Sequence, residues 1–140
     1  MEYRKFETGL AWFSLAGAFV HFVLETLYHV TFGQFLPLLI VDYIAVGLLV
    51  YAGVLSLRVR PSSASGLLAG AWGFAACLAY VACFVFLERY LQGQGPLFMV
   101  VVLGVAVVAA FVAFALSLLL VKVAMKKPPA SGGEWNRKQA

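Results

Sequence analysis

Four runs of about 20 nearly uncharged residues dominate the sequence, and each is as long as a helix must be to cross roughly 30 Å of hydrocarbon. They extend from about Leu10 to Phe32, Pro37 to Leu57, Gly66 to Leu87 and Leu97 to Val121. A soluble domain of 140 residues leaves about a third of its unfolded surface in water. This chain is 64% hydrophobic and 11% charged, against roughly 45–50% and 25% in soluble domains. Lipid is therefore the expected solvent. A barrel is not expected, because barrel strands alternate polar and apolar over about 10 residues, whereas these runs are apolar on all sides. The expected fold class is all-α: an antiparallel four-helix transmembrane bundle occupying residues 1–127.

The connections fit this reading. Gly33 and Pro37 punctuate the first. Arg58, Arg60, Pro61, Ser62, Ser63 and Ser65 make the second, and Gln92 to Pro96 the third. Such short, breaker-rich links place successive helices side by side and antiparallel. The tail from Pro128 to Ala140, rich in Pro, Gly and charge, is expected to be disordered.

Orientation follows from the basic residues, which stay on the cytoplasmic flank of membrane helices. Arg4 and Lys5, Arg58 and Arg60, and Lys122, Lys126, Lys127, Arg137 and Lys138 fall on one side of a four-span chain. These are nine of the ten Lys and Arg residues, and Arg89 alone falls on the other. Both termini are thus expected in the cytoplasm, with the chain in the inner or plasma membrane of a cell. A thiol reagent added outside intact cells should label Gln94→Cys and spare Ser63→Cys, and the reverse pattern would overturn the topology. The first run is too long for a cleavable leader and carries Glu25 and His29 where small residues would be needed, so it is expected to remain. The basic residues are accounted for by topology, so no nucleic-acid partner is expected. Cys77 and Cys83 share one run, point about 120° apart and read as small apolar fillers.

Ionisable residues inside lipid are costly and generally face a bundle interior or a cavity. The first run carries His21, Glu25 and His29 at spacings of four, a single stripe at 100° per residue. With a rise of about 1.5 Å per residue they lie about 18, 12 and 6 Å below Gly33. Asp42 lies about 8 Å into the second run from the same side, and Glu88 and Arg89 end the third there. All converge on the outer half of the bundle. In the third run Gly66, Gly70, Gly73, Cys77, Phe84 and Glu88 share a face, and small residues let membrane helices approach closely. That face is expected to pack inward, bringing Glu88 with it. The fourth run, with Ala106, Ala109, Ala110, Ala113 and Ser117, reads as a packing wall. The inner half offers only Ser14 and Ser56 as polar lining, which argues against a channel.

Three chemistries suit such a cluster. It can be a structural network in which His21, Glu25, His29 and Asp42 bond to one another and to Tyr28 or Tyr43, fixing helix register. It can be a metal site, since imidazoles and carboxylates suit zinc or iron. His21 and His29 are about 12 Å apart along the axis, which limits that set to His29, Glu25 and Asp42. Or it can exchange protons in a lipid-lined pocket, where a His–Glu pair one turn apart shares and moves a proton.

The stretch Trp12-Phe13 … Phe19-Val20-His21-Phe22-Val23-Leu24-Glu25 resembles a helix of the emopamil-binding proteins, sterol isomerases of the EXPERA membrane domain. There an aromatic pair precedes His-x-x-x-Glu on a helix that starts from the cytoplasmic side, in a four-helix unit of similar length. The resemblance implies that His21 and Glu25 form an acid–base pair acting on a sterol-like double bond, with nearby aromatics cradling a cationic intermediate. The family's second carboxylate lies on a later helix in a Met-Glu-Thr-like stretch; the third run here has no carboxylate before Glu88, and Asp42 is the candidate replacement. The expected catalytic set is His21, Glu25 and Asp42. Trp12, Tyr28, His29, Tyr43, Phe84 and Glu88 are the expected ligand-binding set, with no resident metal or cofactor. Expected partners are a membrane lipid or a hydrophobic small molecule, with a homo-oligomer or a larger membrane complex left open. The competing expectation is a non-catalytic accessory subunit whose polar cluster sets helix packing. An enzyme needs a cavity of about 300 Å³ or more beside Glu25, and a structural bundle needs none.

Overall fold

The computed structural model describes residues 2–33, 35–58 and 65–126. Its secondary structure is helical throughout: α1 (Glu2–Phe32), α2 (Leu36–Arg58), α3 (Ser65–Leu91) and α4 (Leu97–Lys126). Each helix is long and apolar enough to cross a membrane. The expected disordered tail, and most of the second connection, lie outside the described residues.

The ends are set by backbone chemistry. Gly33 stands at φ +70° and its N–H donates to the His29 carbonyl at 3.0 Å, a left-handed cap of the kind glycine adopts without steric cost. Pro37 then sits in the first turn of α2, where its missing N–H costs nothing. Gly93, at φ +73°, closes α3. Its N–H reaches the Tyr90 carbonyl at 2.9 Å and that of Gln94 reaches Arg89 at 2.8 Å, the paired bonds of a Schellman motif. The other end of α1 differs from expectation. The helix starts at Glu2 and not near Leu10, because the stretch from Glu2 to Thr8 contains no breaker and continues the helix past its apolar part. At about 1.5 Å per residue, α1 and α4 each span about 45 Å, so both outrun the hydrocarbon layer.

Two hairpins form the bundle. α1 packs along α2, α3 along α4, and α2 against α3 joins them, while α1 and α4 touch more loosely than these three pairs. The core is built largely from alanine: Ala11, Ala18, Ala45, Ala52, Ala71, Ala76, Ala110 and Ala113 are buried, with Leu68, Leu120 and Trp72 as the larger pieces. Lipid offers no hydrophobic driving force between helices, so close packing of small residues must supply the attraction. At Gly53 a Cβ would stand 3.1 Å from the Ala11 carbonyl oxygen and 3.1 Å from Leu15 Cγ; α1 and α2 approach closely there because glycine leaves the room.

The expected inward face of α3 is corrected. Gly66, Gly70, Cys77, Phe84 and Glu88 are exposed, while Ser65, Leu68, Ala69, Ala71, Trp72 and Ala76 are buried. Trp72 decides the rotation, since burying its large ring and satisfying its N–H outweigh the benefit of small residues at the interface. On α4 the packing wall forms from Ala110, Ala113 and Ser117, with Ala106 turned outward.

Candidate functional site

Two helices bring three ionisable groups together. On α1, His21 and Glu25 are one turn apart and present the same face to α2. On α2, Asp42 lies opposite them. One donor atom from each of His21, Glu25 and Asp42 falls within 4.8 Å of the others, and all three side chains are half-buried. His21 Nε2 stands 3.8 Å from Asp42 Oδ1, with the side chains 28% and 15% exposed. That separation is an ion-pair contact when the imidazole is protonated and is longer than a hydrogen bond. A neighbouring pair fixes the level of α1 on α2: the Thr26 hydroxyl donates to the Phe22 carbonyl at 2.7 Å, so at 2.9 Å the Tyr43 hydroxyl donates to Thr26. The rings of Phe22 and Tyr43 are 5.3 Å apart.

One imidazole and two carboxylates form a donor set that suits zinc or iron. The residue that joins Glu25 and Asp42 in it is His21, not His29, because the loop end of α1 carries His29 past the level of Asp42. His29 is half-buried, and its Nδ1 is enclosed without a hydrogen-bond partner.

The remaining expected ligand-binding residues divide. Tyr43 borders the trio through Thr26. Tyr28 instead packs on Phe32 at 5.1 Å and edge-on to Phe86 of α3 at 5.9 Å, and the Arg89 guanidinium lies 5.7 Å over the Phe86 ring. Phe84 is 52% exposed on the outer face of α3 and pairs with Tyr80. Glu88 is exposed and accepts a hydrogen bond from the Gln92 amide at 3.3 Å. Neither Phe84 nor Glu88 reaches the trio, a consequence of the rotation of α3. Trp12 lies nine residues before His21, about 14 Å along the helix, and is 61% exposed.

Sequence reasoning missed Glu7. It is 2% exposed, and its Oε1 is enclosed without a hydrogen-bond partner. It shares the stripe of His21 and Glu25, since positions 7, 14, 21 and 25 fall within about 40° of one another. The spacing of seven was the available clue; placing the start of the span at Leu10 hid it. Ser14, the next member, is also buried. It donates to the Leu10 carbonyl at 2.8 Å and accepts from the Trp72 indole N–H of α3 at 2.8 Å. The half of the bundle near the chain termini therefore holds more buried polar groups than Ser14 and Ser56, because Glu7, Ser65 and Ser117 are buried as well.

Two ligand-sized openings stand out. One, about 580 Å³, is lined by Arg4, Lys5, Thr8, Gly9 and Trp12. The other, about 600 Å³, lies between α1 and α4. His21, Glu25 and Asp42 line neither of them.

No family model matches this chain, and no curated protein or solved structure does.

Proposed function

We propose that this chain is a small multi-pass membrane protein whose chemistry resides in the His21–Glu25–Asp42 site, which takes up and releases a proton for a hydrophobic, sterol- or isoprenoid-like molecule arriving from the bilayer. The observation that carries this reading is the convergence of three ionisable groups from two helices to within 4.8 Å inside otherwise apolar spans. Placing such groups in lipid is expensive, and they commonly mark proton relays or substrate paths. His21 and Glu25 act as the acid–base pair, and Asp42 serves as the second carboxylate, 3.8 Å from the imidazole. Phe22 and Tyr43 follow His21 and Asp42 in the chain and are 44% and 36% exposed, so their ring faces are available to a cation formed on a bilayer-borne molecule. In this reading the molecule lies against the α1–α2 face from the lipid side, in place of the cavity that an enzyme was expected to hold beside Glu25. Both termini belong to the cytoplasmic side, a placement supported by the basic flanks.

A second reading, a non-catalytic subunit whose trio sets the register of α1 on α2, draws on a specific observation: the ligand-sized openings lie away from the trio. A diazirine-bearing sterol probe in phosphatidylcholine vesicles separates the two. The first reading expects labelling concentrated on the peptides holding residues 21–25 and 42–43 and competed by unlabelled sterol. Labelling spread over the lipid faces of all four helices, without competition, would reject it in favour of the second.

A further inference from the structure

A cleft runs along the α1–α4 seam of the bundle. α1 and α4 pack more loosely than the α1–α2, α2–α3 and α3–α4 pairs, and between them lies a cleft of about 600 Å³ lined by Lys5, Gly9, Leu10 and Phe13 on one side and Ala109 and Ala113 among others on the other. The cleft has a physical cause: a Cβ on Gly9 would meet nothing within 4 Å, and the residues facing it on α4 include alanines. From Lys5 to Phe13 the helix rises about 12 Å, close to the roughly 15 Å depth of one leaflet's hydrocarbon. The walls are apolar apart from Lys5.

The mouth is chemically different. Lys5 and Gly9 also border the adjoining opening, which adds Arg4, Thr8 and Trp12. Two cations, Arg4 and Lys5, thus stand where a headgroup would lie above a chain in the cleft, with the Thr8 hydroxyl about one turn deeper and the Trp12 indole about two turns deeper. Lys122 and Lys126, exposed on the last turns of α4, add positive charge at the same end of the bundle. Glu7 points about 160° away from Lys5 around α1 and is buried. Basic side chains at this depth are ordinary anchors for the membrane interface.

We infer that the α1–α4 cleft binds one anionic phospholipid, its acyl chain against Gly9, Phe13 and Ala113 and its phosphate on Arg4 and Lys5. The apolar walls select a chain and the charge complementarity selects its headgroup. The site is independent of the His21–Glu25–Asp42 trio.

Native mass spectrometry of the full chain, extracted from vesicles of equal phosphatidylglycerol and phosphatidylcholine, tests the inference. The wild type should retain one phosphatidylglycerol in preference to phosphatidylcholine by on the order of tenfold, given the usual attraction of juxtamembrane cations for anionic headgroups. The double variant Arg4→Gln/Lys5→Gln should lose the preference. Gly9→Leu, whose Cβ meets nothing within 4 Å, should fill the cleft and retain neither lipid. Equal retention of both lipids by the wild type would overturn the inference and indicate an unselective lipid annulus. So would an unchanged preference in the double variant, whose substitutions are at exposed positions and keep the test decisive even if Gly9→Leu folds poorly.

Discussion

Trp72→Ala is expected to destabilise the bundle by about 3 kcal/mol, the lower end of the range for removing a buried tryptophan from a core. The lower end applies because part of that range is transfer from water, which is absent between helices in lipid. Trp72 is 5% exposed and is the principal side-chain tie from α3 to α1. Its indole N–H donates to Ser14, its ring stacks on Phe13 at 5.3 Å, and its edge lies 3.2 Å from where a Cβ of Gly17 would stand. Phe13, Ser14 and Gly17 of α1 thus all meet one residue of the other hairpin. Trp72→Phe keeps most of the ring and loses the hydrogen bond, and interhelical hydrogen bonds in membranes average only about 0.6 kcal/mol. Reversible unfolding in mixed micelles measures both variants. A Trp72→Ala loss no larger than that of Trp72→Phe would remove Trp72 from this role. Gly17→Ala adds a check: it should be costly beside the indole and nearly silent in the Trp72→Ala background, the coupling expected of residues in direct contact.

Trp72 also explains which parts of the molecule could be read in advance. The spans were legible because length and unbroken apolarity are properties of each helix alone. Helix rotation was not. α3 is apolar around nearly its whole circumference, so no polar face orients it, and the small residues Gly66, Gly70 and Cys77 were a reasonable but wrong guide to its inner side. A single aromatic with a hydrogen-bond donor outweighed them, and it carried Phe84 and Glu88 away from the trio. α1 is different, since His21 and Glu25 interrupt an apolar surface and mark one face unambiguously. That Asp42 meets them followed from antiparallel neighbours at matching depth. Glu7 escaped because it lies among charged flanking residues, where a carboxylate normally faces water; only the seven-residue step to Ser14 and again to His21 betrays its inward direction. The openings between helices were not legible at all, because they depend on how two hairpins dock.

Glu25→Gln is the substitution with the largest expected effect on function: under the proton-exchange reading it abolishes turnover of the hydrophobic molecule while leaving insertion, helicity and extraction unchanged. Glu25 is one turn from His21 and within 4.8 Å of both His21 and Asp42 by its nearest donor atoms, so it is placed to pass a proton to either. The amide is almost isosteric and keeps an acceptor oxygen, but it neither takes up nor releases a proton. In a network that merely fixes register, the same change is close to silent, because an amide serves as well as a carboxylate in hydrogen bonding. Glu25→Leu is the complement. It removes the polar group entirely and leaves the imidazole and carboxylate of its neighbours to each other, so both readings expect a stability loss, of the order of the 0.6 kcal/mol typical of interhelical polar contacts in membranes. Measuring the two variants for unfolding in micelles, and for conversion or retention of a sterol-like molecule in vesicles, gives a pattern that neither reading shares with the other. A stable but inactive Gln variant supports proton chemistry at the α1–α2 face. A Gln variant that still converts the molecule at the wild-type rate removes Glu25 from the chemistry and leaves His21, Glu25 and Asp42 as the polar seam that holds two helices in register.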